Sequence, residues 1–131
     1  MKRERGQALV EFAIVLPIII GVLGAIAYFG LLYSHKLSVT QAVKDAARME
    51  TVCNYKATNP GYVDPVTKFQ NEVTADGMNV ANASTNQTSP ITCPASGTSF
   101  TFTGSYHDTI HILGYNVTSF DLTSTVAGVA E

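Results

Sequence analysis

Residues 8–33 form one unbroken apolar stretch in which the only charged side chain is Glu11. Few features constrain a chain more. About 20 apolar residues suffice for a helix to cross a ~30 Å hydrocarbon core, and residues 12–33, 22 in all, meet that length. Lys2, Arg3 and Arg5 stand before it against Glu4. A cluster of that sign keeps the N-terminus cytoplasmic and sends the rest of the chain outward. A carboxylate in the hydrocarbon region costs roughly 2.5–3.5 kcal/mol on insertion scales, so Glu11 is a functional residue in search of a partner.

The chain has 131 residues. Once about 30 are committed to the leader and the apolar segment, what is left suits one small domain of about 95 residues, enough for a real core of modest stability. Beyond Ser34 five Lys/Arg stand against eight Asp/Glu. With no basic patch, nucleic acid is not an expected partner. The two cysteines, Cys53 and Cys93, both fall in the part expected outside the cytoplasm. An even count there favours a disulfide, and loop-closure entropy for a loop of that order is worth roughly 3–4 kcal/mol. Two buried free thiols are the alternative.

The helix that starts near Gln7 is expected to continue past the membrane surface. Val39, Ala42, Ala46, Met49 and Cys53 repeat at three and four residues, with Val43 widening the seam. Lys36, Lys44, Asp45, Arg48 and Glu50 fall off it, as a solvated face requires. Such a helix, ending near Val52, would be roughly 65 Å long. Pro17 removes one backbone donor and predicts a kink near residues 13–17. Gly21, Gly24, Gly30, Ala25 and Ala27 supply small residues that let helices approach closely in lipid; ordinary glycine enrichment of membrane helices explains them as well.

After Asn54 the pattern changes. Asn59-Pro60-Gly61 is a turn signal. Asp64-Pro65 reads as an N-cap followed by proline at the first helical position, with Val66, Phe69 and Val73 at helical spacing and Gly77 as terminator. Residues 79–89 are rich in Asn, Ser and Thr and predict a polar loop or a poorly paired strand. From Ser99 the period becomes two: Phe100, Phe102 and Tyr106, then Ile110 and Ile112, then Phe120, Leu122 and Val126. Gly114-Tyr115-Asn116 reads as the turn between the last two strands. The fold class is α+β: a long membrane-spanning helix, a short helix and a small antiparallel sheet. Expected segments are a leader over 1–6, a helix over 7–53 (membrane-spanning at about 8–33, extracytoplasmic over 34–53), and an outer domain over 54–131.

No catalytic constellation, phosphate loop or zinc-protease pattern is present, so neither an enzyme nor a cofactor is expected. His107 and His111, four apart in a strand pattern, sit about 13 Å from each other, too far to share a metal ion; they read as surface histidines. Asp108 and Asp121 read as ordinary strand-edge or turn carboxylates.

The leader admits two readings. Ala25-Ile26-Ala27 fits a secretory signal cut before Tyr28, but the apolar stretch is long for such a signal and continues past that cut. Cleavage after Gly6 keeps the helix, places the bond at the cytoplasmic membrane face and creates a positive amine at Gln7. That reading is favoured.

The segment Gly6-Gln7-Ala8-Leu9-Val10-Glu11-Phe12 resembles the class III signal of type IV pilins, in which cleavage follows glycine and the fifth residue of the mature chain is glutamate. Counted from Gln7, Glu11 is the fifth residue and Phe12 the sixth. The longer run from Arg5 to Pro17 is similar to TadE/TadG-like proteins of the tight-adherence (Flp) pilus system. Ala42-Val43-Lys44-Asp45-Ala46-Ala47-Arg48 is similar to their helix beyond the membrane. With no segment suggesting the large extra domain of TadG members, TadE is the closer fit. The resemblance implies cleavage by a prepilin peptidase between Gly6 and Gln7 and docking through Glu11 and Phe12. It also implies partnership with other pilin or pseudopilin subunits through the helix, in the inner membrane and, on assembly, in an extracellular pilus. An uncut membrane-anchored binding domain and a secreted adhesive domain are the alternatives. Buried among neighbours, Glu11 needs a cation, and the new amine of an adjacent Gln7 is the nearest candidate; the helix dipole favours a negative charge in its first turns. A Glu11 that merely reaches the headgroups is the plainer alternative.

Overall fold

The computed structural model describes residues 3–52, 63–89, 91–112 and 115–131. Helix α1 spans Arg3–Val52 and runs without a break across Pro17. It begins four residues before the expected start, since Arg3, Glu4 and Arg5 are good helix formers and a single Gly6 costs only about 1 kcal/mol. Helix α2 spans Pro65–Ala75. A 3₁₀ turn over Val80–Asn82 leads into strand β1, Ala83–Thr85, and then come β2, Ser99–Ile112, and β3, Tyr115–Val129. The three strands form one antiparallel sheet in the order β1-β2-β3. This is the expected α+β class. Contacts divide the chain into two compact units, Met1–Ser34 and His35–Glu131.

Within the second unit, one face of α1 supplies Val39, Ala42, Val43, Ala46 and Ala47 to the core. Helix α2 adds Val66, Phe69 and Val73, and β2 adds Phe100, Phe102 and Tyr106 from alternate positions. Phe69 and Phe102 meet edge to face, their centroids 6.3 Å apart. The helix lies close to the sheet because β2 has glycine at 104: a Cβ there would stand 2.6 Å from Val43 Cγ2 and 2.7 Å from the Phe69 ring.

The ends of α2 follow the sequence signals. Asp64 caps it by accepting from Thr67 N, with Pro65 at the first helical position; the same carboxylate accepts from Ile91 N at 3.2 Å, tying down the later loop. Gly77 adopts φ 78°. Its N–H donates to Thr74 O and that of Met78 to Val73 O, the Schellman pattern, with Met78 and Val73 both buried.

The polar stretch after Gly77 holds more order than its composition predicts. Asn79 caps the 3₁₀ turn through Ala81 N, and β1 pairs with β2 from Ala83↔Tyr106 to Thr85↔Gly104. Asn86 then imitates a strand residue with its side chain, donating to Thr101 O and accepting from Thr103 N. Tyr115 and Asn116 are strand residues paired with Ile112 and His111, not a turn; Gly114 lies outside the described residues, as does the expected turn at Asn59-Pro60-Gly61.

Candidate functional site

From residue 7 to residue 33, α1 turns apolar side chains outward on every side. Leu9 and Phe29 are each 70% exposed. An 18-residue window of this helix reaches a mean hydropathy of 2.6 with none of it buried inside the chain. Removing a Leu, Ile or Phe side chain from water is worth roughly 1.5–3 kcal/mol, so a segment of this kind moves into lipid or against other helices. The long apolar helix suggests a membrane anchor.

Glu11 is exposed in this segment and accepts from Gln7 Nε2 at 3.3 Å, one helical turn away. The donor is a neutral amide, so the carboxylate keeps its charge requirement. Phe12 is exposed beside it. Gly6 lies within the helix, so the Gly6–Gln7 bond does too. Gly21, Gly24 and Gly30 have nothing within 4 Å of where a Cβ would stand, which leaves their surfaces open to a neighbouring helix.

A polar cluster opens the second unit. His35 Nδ1 lies 3.0 Å from Asp108 Oδ2, and the His35 ring meets Tyr106 edge to face with centroids 6.0 Å apart. The Lys36 ammonium donates to the Thr123 carbonyl. Asp108 is therefore a helix-to-sheet contact rather than an idle strand-edge carboxylate. On the solvent side His107 and Asp121 pair across β2 and β3 at 2.7 Å. Among the described residues no group of three His, Cys, Asp or Glu is placed to hold a metal.

Glu50 overturns its sequence assignment. Lys44, Asp45 and Arg48 do face solvent, but Glu50 is only 2% exposed. Gln87 Nε2 donates to both of its oxygens, at 3.0 and 3.2 Å. Burial pushes its carboxyl above the ordinary carboxylate value, and the Gln87 hydrogen bond acts in the opposite direction. Gln87 Oε1 finds no partner among the described residues. The available signal was a second repeat on the helix, Val39, Val43, Ala46 and Glu50, spaced four, three and four. Its last member was read from its charge rather than from its position.

Of the two cysteines, Cys53 lies outside the described residues, and Cys93 is exposed in the loop before β2. Among the described residues no cysteine is free.

The family model described as TadE-like protein matches residues 6–48, which is 43 of the 131 residues. It covers Gly6, Gln7, Glu11, Phe12, the exposed apolar helix and five core residues of the second unit. The match supports a TadE-like protein associated with the Tad pilus, and it does not separate TadE from TadG members. No curated protein and no solved structure matches the chain.

Proposed function

We propose that the chain is a pilin-like subunit of a tight-adherence pilus, cut after Gly6 by a prepilin peptidase and assembled through its N-terminal helix. What carries this reading is the family match over residues 6–48 together with an apolar helix whose 18-residue window is not buried among the described residues. Its role is structural rather than enzymatic. The helix sits in the inner membrane with its N-terminus cytoplasmic and the outer unit beyond the membrane, and the TadE type is the nearer one.

The chemistry of docking follows from Glu11. A carboxylate facing lipid is costly, while one facing a cation in the same low-dielectric layer is neutralised. Cleavage supplies that cation as the α-amine of Gln7. Within one helix this amine is anchored a full turn from Glu11, and a neighbouring subunit offset along the helix axis brings its own amine to the carboxylate. Exposed Phe12 and the open glycine positions provide the apolar contact around the pair.

The deciding experiment is intact mass and N-terminal sequencing of protein from native membranes, for the parent chain and for Gly6→Leu. A parent chain starting at Gln7, with Gly6→Leu accumulating as precursor, supports processing. A start at Met1 in cells with an active peptidase leaves an uncut anchored domain, and a start at Tyr28 makes the chain a secreted one. Glu11→Ala then isolates docking. It should be processed and folded yet absent from pili, and normal piliation by it would refute the role given to Glu11.

A Cys53–Cys93 disulfide belongs to the same reading of an exported outer unit. Alkylation of the unfolded, unreduced protein should label neither thiol; two labels would remove the bridge.

A further inference from the structure

Cleavage after Gly6 leaves a glutamine, Gln7, as the first residue of the chain. An N-terminal glutamine has a chemistry of its own. Its neutral α-amine attacks its own side-chain Cδ and closes a five-membered lactam, pyroglutamate. The N–Cδ bond forms, the Cδ–Nε2 bond breaks, and Nε2 leaves as ammonia with a proton taken from the amine. No co-reactant is needed. The lactam nitrogen is not basic, so the reaction erases the positive charge that docking on Glu11 requires.

One contact in the helix opposes that reaction. Gln7 and Glu11 share a face of α1, one turn and about 6 Å apart along its axis. Gln7 Nε2 donates to Glu11 Oε1 at 3.3 Å. The α-nitrogen of Gln7 lies toward the start of the helix, whereas this bond draws the side-chain amide toward the next turn. Cδ therefore cannot reach its own nitrogen until the bond opens. Both side chains are exposed, so packing within the chain does not hold the glutamine in place. Among the described residues its only side-chain partner is Glu11. The bond takes one carboxylate oxygen, Oε1, and leaves Oε2 open to a cation from outside.

We propose that Gln7 is a modification site, closing to pyroglutamate with loss of ammonia, and that Glu11 guards it by holding the amide one turn away. Glu11 is then a positioning residue for the terminus of its own chain, through Oε1, while Oε2 stays available to the amine of a neighbour. A guarded subunit keeps its charge and can dock. A subunit whose Gln7 has closed presents no cation and can no longer dock through this pair. The proposal rests on cleavage after Gly6.

The test uses the full mature chain purified from native membranes as the parent, Glu11→Ala and Glu11→Gln, each held in detergent at neutral pH. Intact mass with fragmentation follows the loss of one ammonia at Gln7. Pyroglutamyl aminopeptidase, which removes a closed ring and exposes Ala8, checks the assignment. A peptide of residues 7–10, with neither helix nor Glu11, sets the unguarded rate. The parent should close slowest and Glu11→Ala about two- to tenfold faster, the worth of one hydrogen bond to a carboxylate. Glu11→Gln keeps an acceptor without the charge and should fall between them. Equal rates for the parent and Glu11→Ala overturn the guard, as does a Glu11→Gln chain that closes as fast as Glu11→Ala. A parent that leaves the membrane already closed, or that matches the peptide, overturns it too. A parent that begins at Met1 removes the processing reading and this proposal with it; one that begins at Gln7 and shows no effect of Glu11 removes this proposal alone.

Discussion

Gly104→Ala tests the packing of helix against sheet most directly. The added Cβ would lie 2.6 Å from Val43 Cγ2 and 2.7 and 2.9 Å from two carbons of the Phe69 ring. Both neighbours are 0% exposed, and valine has little rotamer freedom with which to retreat. Forcing a methyl into a full core costs about 1–3 kcal/mol. Against this, Gly→Ala restricts the unfolded chain and returns about 0.4–1 kcal/mol where the backbone tolerates alanine. Gly104 lies in paired strand with no positive φ, so the return applies in full. With three contacts under 3.0 Å the cost falls in the upper part of that range, about 2–3 kcal/mol, so a net loss of about 1–2.6 kcal/mol remains, and in a unit of this size that lowers the melting midpoint by about 4–20 °C.

The assay is reversible thermal unfolding in detergent, followed by near-ultraviolet circular dichroism of the outer unit. Gly24→Ala is the control, because its Cβ meets nothing within 4 Å; it should leave the midpoint in place. Combining Gly104→Ala with Val43→Ala makes room at the closest contact, so the second penalty should be smaller than the first. A Gly104→Ala protein that melts with the parent would show that helix and sheet do not approach as described.

The remaining expectations concern charge and capping. Because burial raises the folded-state pKa of Glu50, the native chain holds that proton to higher pH than the unfolded chain. Stability from this group is therefore complete below the ordinary carboxylate range and declines as pH rises toward the raised value. Melting midpoints measured from pH 4 to pH 8 should fall along that window in the parent and flatten in Glu50→Gln; equal slopes would refute the assignment. Asp64→Ala removes both the α2 cap and the tie to Ile91, for a loss of about 1–2 kcal/mol, and an unchanged denaturant midpoint would mean that the cap carries no stability.

Local signals in the sequence carried over well. Asp64-Pro65 and Gly77 bound α2 because capping depends on neighbours within a turn, and the Phe100, Phe102, Tyr106 alternation found its buried face. Failures came where partners are distant. His35 and Asp108 are 73 residues apart, and no pattern along the chain links them. Glu50 read as solvated because its charge outweighed its place in the repeat, and its burial depends on Gln87, 37 residues away. Tyr115 and Asn116 read as a turn from composition, yet pairing with β2 extends them. Residues 79–89 lacked any apolar period because their order comes from side-chain amides, those of Asn79 and Asn86, rather than from a buried face.

The extent of the family match has a structural meaning of its own. A signature of the membrane segment alone would end near Tyr33, where the apolar run ends. It continues instead to Arg48 and so takes in Val39, Ala42, Val43, Ala46 and Ala47, the face of α1 that packs under the sheet. Small residues at 42, 46 and 47 let the sheet come close, as Gly104 does from the other side. The matched segment therefore carries two surfaces on one helix, an exposed apolar one before Ser34 and one that packs under the sheet of the second unit. The outer strands only have to present apolar residues at alternate positions to cover that second surface, a requirement that many sequences satisfy. This explains physically how residues beyond 48 can pack onto the matched helix while lying outside the match.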